Sequence, residues 1–123
     1  MYNDIVLDHL SNPRNIGVIE FPDGIGHTGN VSDGDKITLY IKVENNIISD
    51  IRLKVFGCGA AIASGSMLTE LALGKPLEEA LSITNENVAE ALGGLPPQKL
   101  LCSNIAATAL HNAIKDYQLR FHI

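Results

Sequence analysis

Lys36-Ile37-Thr38-Leu39-Tyr40-Ile41-Lys42-Val43 and, after Glu44-Asn45-Asn46, the run Ile47-Ile48-Ser49-Asp50-Ile51-Arg52-Leu53-Lys54-Val55-Phe56 decide the fold. The first run places Ile37, Leu39, Ile41 and Val43 at every second position, and the second does the same with Ile51, Leu53 and Val55. A period of two lays these side chains on one face of a half-buried strand. Glu44-Asn45-Asn46 reads as a hairpin turn, so the two strands pair antiparallel. A third strand fits before Asp33. Phe21 to Asp35 is nevertheless dense in Gly, Asp, Pro, Asn and Ser, and by composition it reads as an irregular, exposed segment.

Outward from the hairpin the period changes. Tyr2, Ile5, Val6 and Leu10 recur at three- and four-residue spacing, a short helix stopped by Asn12-Pro13. Beyond the strands, residues 60–73 place Ile62, Met67, Leu68, Leu71 and Ala72 on one helical stripe and end at Gly74. Shorter helices are expected at 77–82 and 85–92, interrupted by Gly93-Gly94 and Pro96-Pro97. A final helix is expected from about Ser103 to Tyr117, with Ile105, Ala106, Ala109, Leu110, Ala113, Ile114 and Tyr117 toward the sheet. The expected fold is α+β in two layers: a small antiparallel three-stranded sheet with helices packed on one face, residues 1–123 forming a single domain.

Bulk properties narrow the function. Fourteen acidic against nine basic residues give a net charge of −5, and no run of basic residues stands out, which argues against a nucleic-acid backbone as partner. Three Phe, three Tyr and no Trp supply no platform for stacking bases. No apolar stretch is long enough to span a bilayer. Asp4, Asp8, Arg14 and Glu20 in the first twenty residues fit neither a signal peptide nor a membrane anchor, so a cytoplasmic, reducing address is expected. Two cysteines are too few for a disulfide framework.

Those cysteines carry the chemistry. Cys58, within Phe56-Gly57-Cys58-Gly59-Ala60-Ala61, and Cys102, preceded by Pro96-Pro97 and Lys99, each fall where a helix is expected to begin. Unpaired N–H groups and the positive end of the helix dipole favour negative charge there, hence thiolate, the form that holds metal or attacks sulfur. Taken singly, each cysteine reads equally well as a small buried hydrophobe. Taken together, they point to a shared site. Asp33-Gly34-Asp35 adds two carboxylates in a glycine-containing loop, and such acids alone are ordinary turn formers. Two thiolates with one or two carboxylates suit a tetrahedral zinc or iron ion, or a small iron–sulfur cluster with partial oxygen ligation. His9 and His111 fall within helices, His122 in the C-terminal tail, and His27 in the glycine-rich loop, where it reads as a surface residue. No Ser-His-Asp spacing, phosphate-binding glycine loop or CxxC motif supports a catalyst. Asn12-Pro13-Arg14-Asn15 reads as a turn.

These segments together resemble the IscU/NifU-type iron–sulfur cluster scaffold family. Asn12-Pro13-Arg14-Asn15, Gly34-Asp35, the run from Phe56 to Ser64 and the run from Leu95 to Ser103 carry the likeness, which extends over nearly the whole chain. The resemblance implies a scaffold rather than a catalyst. Such a scaffold receives sulfur from a cysteine desulfurase, receives iron, builds a [2Fe-2S] cluster and passes it to acceptor proteins. Cys58 and Cys102 match two ligand cysteines of the family, and Asp35 matches the aspartate associated with cluster lability and zinc binding. Leu95-Pro96-Pro97-Gln98-Lys99 is similar to the segment offered to an Hsp70-type chaperone, with Gln98 where an apolar residue is more usual.

Two positions depart from the pattern. The family's first ligand cysteine falls at Asp33, and its ligand histidine falls at Leu101. Asp33 can offer oxygen, a poorer match to the cluster than thiolate, and Leu101 offers nothing. The expected site is therefore Asp33, Asp35, Cys58 and Cys102, holding iron or a [2Fe-2S] cluster, with zinc as the other metal. Two other readings remain: a zinc-organised persulfide acceptor of sulfurtransferase type, and a metal-free regulator of a desulfurase.

Overall fold

The computed structural model describes residues 2–30, 34–95 and 105–121. Helix α1 (Asp4–Ser11) is followed by strands β1 (Gly24–Asn30), β2 (Asp35–Glu44) and β3 (Ile47–Phe56). Helices α2 (Gly59–Ala72), α3 (Leu77–Leu81), α4 (Asn85–Ala91) and α5 (Ala106–Phe121) come after them. The sheet is antiparallel throughout in the order β1-β2-β3, with Leu39 opposite Leu53 and Ile41 opposite Ile51. Ile37, Leu39, Ile41, Ile51 and Leu53 are buried, as the alternation requires, and each contributes about 2 kcal/mol by leaving water. Asn45 and Asn46 close the hairpin with φ of 53° and 64°, the left-handed pair whose twist matches the strands.

The segment that reads as irregular from composition contains β1. Its sequence Gly24-Ile25-Gly26-His27-Thr28-Gly29-Asn30 has poor strand propensity, yet it pairs with β2 along its whole length, Gly26 opposite Leu39. The reason is tertiary. A Cβ on Gly26 would lie 2.0 Å from the Ala109 carbonyl oxygen, and one on Gly24 2.3 Å from that of Ala113. Glycine lets α5 lie directly on the strand, which a side chain would forbid. Helix α5 also closes the free edge of β1: Asp116 accepts the Ile25 N–H at 2.8 Å and Asn112 donates to the His27 carbonyl at 3.0 Å. His27 is thus an exposed strand residue rather than a loop residue.

Helix α2 departs from the expected single stripe. Leu68 and Ala72 are buried, but Ile62, Met67 and Leu71 are only half-buried, while Ala60, Ala61, Ala63, Ser64, Gly65, Ser66 and Thr69 are buried. Small residues line this helix because β3, α1, α4 and α5 all pack against it. Among the described residues Ser64 Oγ finds no hydrogen-bond partner, and a buried hydroxyl left so costs about 1 kcal/mol or more. Helix α5 runs to Phe121, a turn beyond the expected end. The expected start at Ser103 lies outside the described residues.

Asn12-Pro13-Arg14-Asn15 does more than turn the chain. The Arg14 N–H donates to Ser66 Oγ at 2.9 Å, Asn15 Nδ2 to Thr69 Oγ1 at 2.9 Å, and the Asn15 carbonyl accepts from Leu53 N–H at 2.7 Å. It therefore bolts α1 to α2 and to the edge of β3. His9 completes the bolt, buried between Ser66 Oγ at 2.7 Å from Nδ1 and Glu70 Oε1 at 3.1 Å from Nε2. The neutral ring fits both contacts, Nε2–H donating to Glu70 and Nδ1 accepting from Ser66.

Burial, and secondarily the Arg14 charge, hold the His9 pKa below its ordinary 6.5. As pH falls, the unfolded chain takes up the proton first. The stability His9 contributes is accordingly complete above pH 6.5 and is lost as pH falls from there through the lowered value. Urea midpoints measured between about pH 5 and about pH 7.5 should show this slope in the wild type and a shallower one in His9→Gln. Parallel slopes in the two proteins would contradict the assignment.

Candidate metal centre

Strand β3 ends at Phe56, and Gly57 turns the chain at φ +153°, a conformation L side chains rarely adopt. Cys58 then stands as the N-cap of α2 with extended backbone, and its carbonyl accepts the Ile62 N–H at 3.1 Å. Its side chain makes no capping bond, and the first turn of α2 holds no acidic residue. The positive end of the helix is left for whatever the sulfur carries. Gly59 keeps the other flank small: a Cβ there would touch Leu10 and Tyr2 at 3.4 Å.

Asp35 is the first residue of β2, not a loop residue as the Asp33-Gly34-Asp35 reading expects. It shares parity with Ile37, Leu39 and Ile41, so the alternation that buries those side chains turns its carboxylate inward, leaving it 1% exposed. Oδ1 accepts the Cys58 N–H at 2.9 Å, and the Cys58 thiol faces Oδ2 at 3.8 Å. The space for this comes from Gly57, whose absent Cβ would sit 2.1 Å from Asp35 Oδ1.

A half-buried thiol at a helix start beside a buried carboxylate from β2 is a pair of the right chemistry to hold a metal ion. Metal–sulfur and metal–oxygen bonds of about 2.3 and 2.0 Å at the tetrahedral angle put the two ligand atoms about 3.5 Å apart. The observed 3.8 Å lets both atoms reach one ion with a slight closing movement. Binding would release the thiol proton and place the cation between two negative groups.

Of the four expected ligands, Cys58 and Asp35 thus come together, while Asp33 and Cys102 lie outside the described residues, as do Leu101 and Pro96 to Lys99. Among the described residues no three His, Cys, Asp or Glu converge to hold a metal. Leu95 is half-buried, and the Gly93-Gly94 stretch before it is held by Asn3, the N-cap of α1, whose Nδ2 donates to the carbonyls of Leu92 at 2.9 Å and Gly94 at 3.3 Å. His27 and His111 stay away from the pair, His27 on Thr38 and His111 on the Ile83 carbonyl. Gly57 takes the turned backbone that a glycine flanking Cys58 permits, and the part of it that sequence reasoning missed is the room it leaves for Asp35. A glycine directly before a helix-capping cysteine is visible in sequence, but that it makes room for a carboxylate from another strand is not. Among the described residues no helix is long and apolar enough to cross a membrane.

A profile of the NifU-like N terminal domain family matches residues 1–122. The chain is 61% identical over 117 residues to the iron-sulfur cluster assembly scaffold protein IscU 1 of Archaeoglobus fulgidus, covering 95% of this chain and 76% of that protein. It is 53% identical over 121 residues to the iron-sulfur cluster assembly scaffold protein IscU of Aquifex aeolicus, covering 97% and 77%. In fold it resembles the crystal structure of a nitrogen-fixing NifU-like protein (N-terminal) from Brucella abortus. That TM-score is 0.79 at 17% identity, over 96% of this chain and 94% of that one.

Proposed function

The chain belongs to the NifU-like N-terminal domain family, and from that membership we propose that it is an iron–sulfur cluster assembly scaffold rather than a catalyst. The observation that carries the reading at residue level is the Cys58–Asp35 pair at the start of α2. Cys58 supplies a thiolate to the cargo, iron or a [2Fe-2S] cluster, and the helix start stabilises the added negative charge. Asp35 supplies a carboxylate oxygen, a hard ligand that holds iron less firmly than thiolate and leaves the cargo transferable. Cys102 and Asp33 complete the set. Sulfur arrives from a cysteine desulfurase, the Leu95–Lys99 segment engages an Hsp70-type chaperone, and acceptor proteins take the finished cluster.

Anaerobic incubation with ferric iron and sulfide is expected to give visible charge-transfer absorbance that is lost in Cys58→Ala and Cys102→Ala, with folding of each variant checked by circular dichroism. A colourless wild type would count against the reading. Stoichiometric zinc with a persulfide on one cysteine after desulfurase treatment, and no cluster, would replace it with the persulfide-acceptor reading.

A further inference from the structure

We propose that the groove between the end of α2 and helices α3 and α4 docks a basic segment of a partner protein, through one aliphatic anchor and an acidic rim. Gly74, at φ +83°, stops α2 and Pro76 opens α3, so the chain turns sharply and leaves a hollow of about 420 Å³. Leu71 and Ile83 floor it, each half-buried against the core, and exposed Lys75, Glu79, Ser82 and Asn87 edge it. The floor is fixed. His111 donates to the Ile83 carbonyl at 2.9 Å, and Thr84 and Asn87 cap α4 reciprocally just beyond.

Charge complementarity names the occupant. Glu79 and Glu86 lie in first helical turns, where the helix dipole favours them, and by themselves they call for no partner. Glu90 is different. It lies in the last turn of α4, where that dipole disfavours it, four residues after Glu86 and on the same side of the helix as Asn87. Among the described residues Glu79, Glu86, Glu90 and Lys75 form no ion pair. The groove therefore carries uncompensated carboxylates on a chain of net charge −5, and a nucleic acid is repelled. A small molecule on so open a rim stays wet, whereas a protein brings the surrounding surface that seals an anchor side chain onto Leu71 and Ile83. A second copy could offer its exposed Lys36 and Lys54, but sheet-on-helix contact is head-to-tail and does not close. Cys58 caps the opposite end of α2, about 20 Å along the helix, so a partner held in the groove leaves the cargo site open.

The probe is a fluorescein-labelled helical peptide with four lysines around one leucine, titrated into the full metal-free chain. Anisotropy should show saturable binding that weakens about tenfold between about 50 and 300 mM salt. E79Q/E90Q should weaken it roughly fivefold, and K75Q should tighten it about twofold. E20Q/E44Q, which removes the same charge from exposed positions away from the groove, should leave it unchanged. A peptide with serine in place of the leucine should bind about tenfold less tightly. Amide shifts should cluster at Leu71, Glu79, Ile83 and Asn87 and spare Cys58. The proposal is overturned by unchanged affinity in E79Q/E90Q, by equal weakening in E20Q/E44Q, by equal affinity for the serine peptide, or by shifts centred elsewhere. Self-association in sedimentation that E79Q/E90Q abolishes would overturn it in favour of a second copy. The probe reports no iron or sulfide, so its failure leaves the scaffold reading standing.

Discussion

Gly26→Ala is expected to destabilise the chain by about 3 kcal/mol or more, and Gly26→Val by at least as much. Propensity predicts the opposite sign, because valine is favoured over glycine in strands by up to about 1 kcal/mol. The geometry decides. A Cβ at Gly26 meets the Ala109 carbonyl at 2.0 Å and the Ala113 amide nitrogen at 2.4 Å, and both are backbone atoms of α5 that cannot rotate away. Either β1 leaves the helix or the helix leaves the sheet, and each exposes Ala109, Ala113 and Ile114 from the core. Since domain stabilities are about 5–15 kcal/mol, a substantial unfolded fraction follows. Urea unfolding followed by circular dichroism would test this, and a midpoint at or above that of the wild type would refute the account.

Gly57→Ala is the second large effect, and it acts on the site. The left-handed φ of +153° costs an L residue about 1–3 kcal/mol, and the new Cβ collides with Asp35 Oδ1. Relief requires the buried carboxylate to turn, which breaks its bond to the Cys58 N–H and moves the thiol away from Oδ2. Lower stability and weaker reconstituted absorbance are therefore expected together. Asp35→Ala removes the colliding oxygen, so the double variant should be about 1–2 kcal/mol more stable than the sum of the single losses. Additivity across that cycle would show that Gly57 serves only its own backbone angle.

The expected elements between Lys36 and Leu92 match the structure closely because each follows a local rule. Strand alternation in Ile37-Thr38-Leu39-Tyr40-Ile41, left-handed asparagines at the hairpin, and Thr84 as N-cap with Asn87 answering it all act within a few residues. A third strand before Asp33 was legible, and β1 is that strand; its exact place was not, because its glycines answer to a helix more than eighty residues away in sequence. Of the candidate site, Cys58 as a helix cap and Asp35 as its companion carboxylate were legible, and the burial of Asp35 and its bond to the Cys58 N–H were not.

Sequence by itself determined the hairpin, the helix-capping place of Cys58 and, through its motifs, the family, since these depend on residue order over short spans. Only the tertiary structure decided that Gly24 and Gly26 lie in the third strand, that His9 is buried between α1 and α2, and that Gly57 makes room for Asp35 against Cys58. Each of those outcomes is a contact between distant segments. Whether a missing Cβ, a buried ring or a carboxylate is favourable there depends on what packing brings against it.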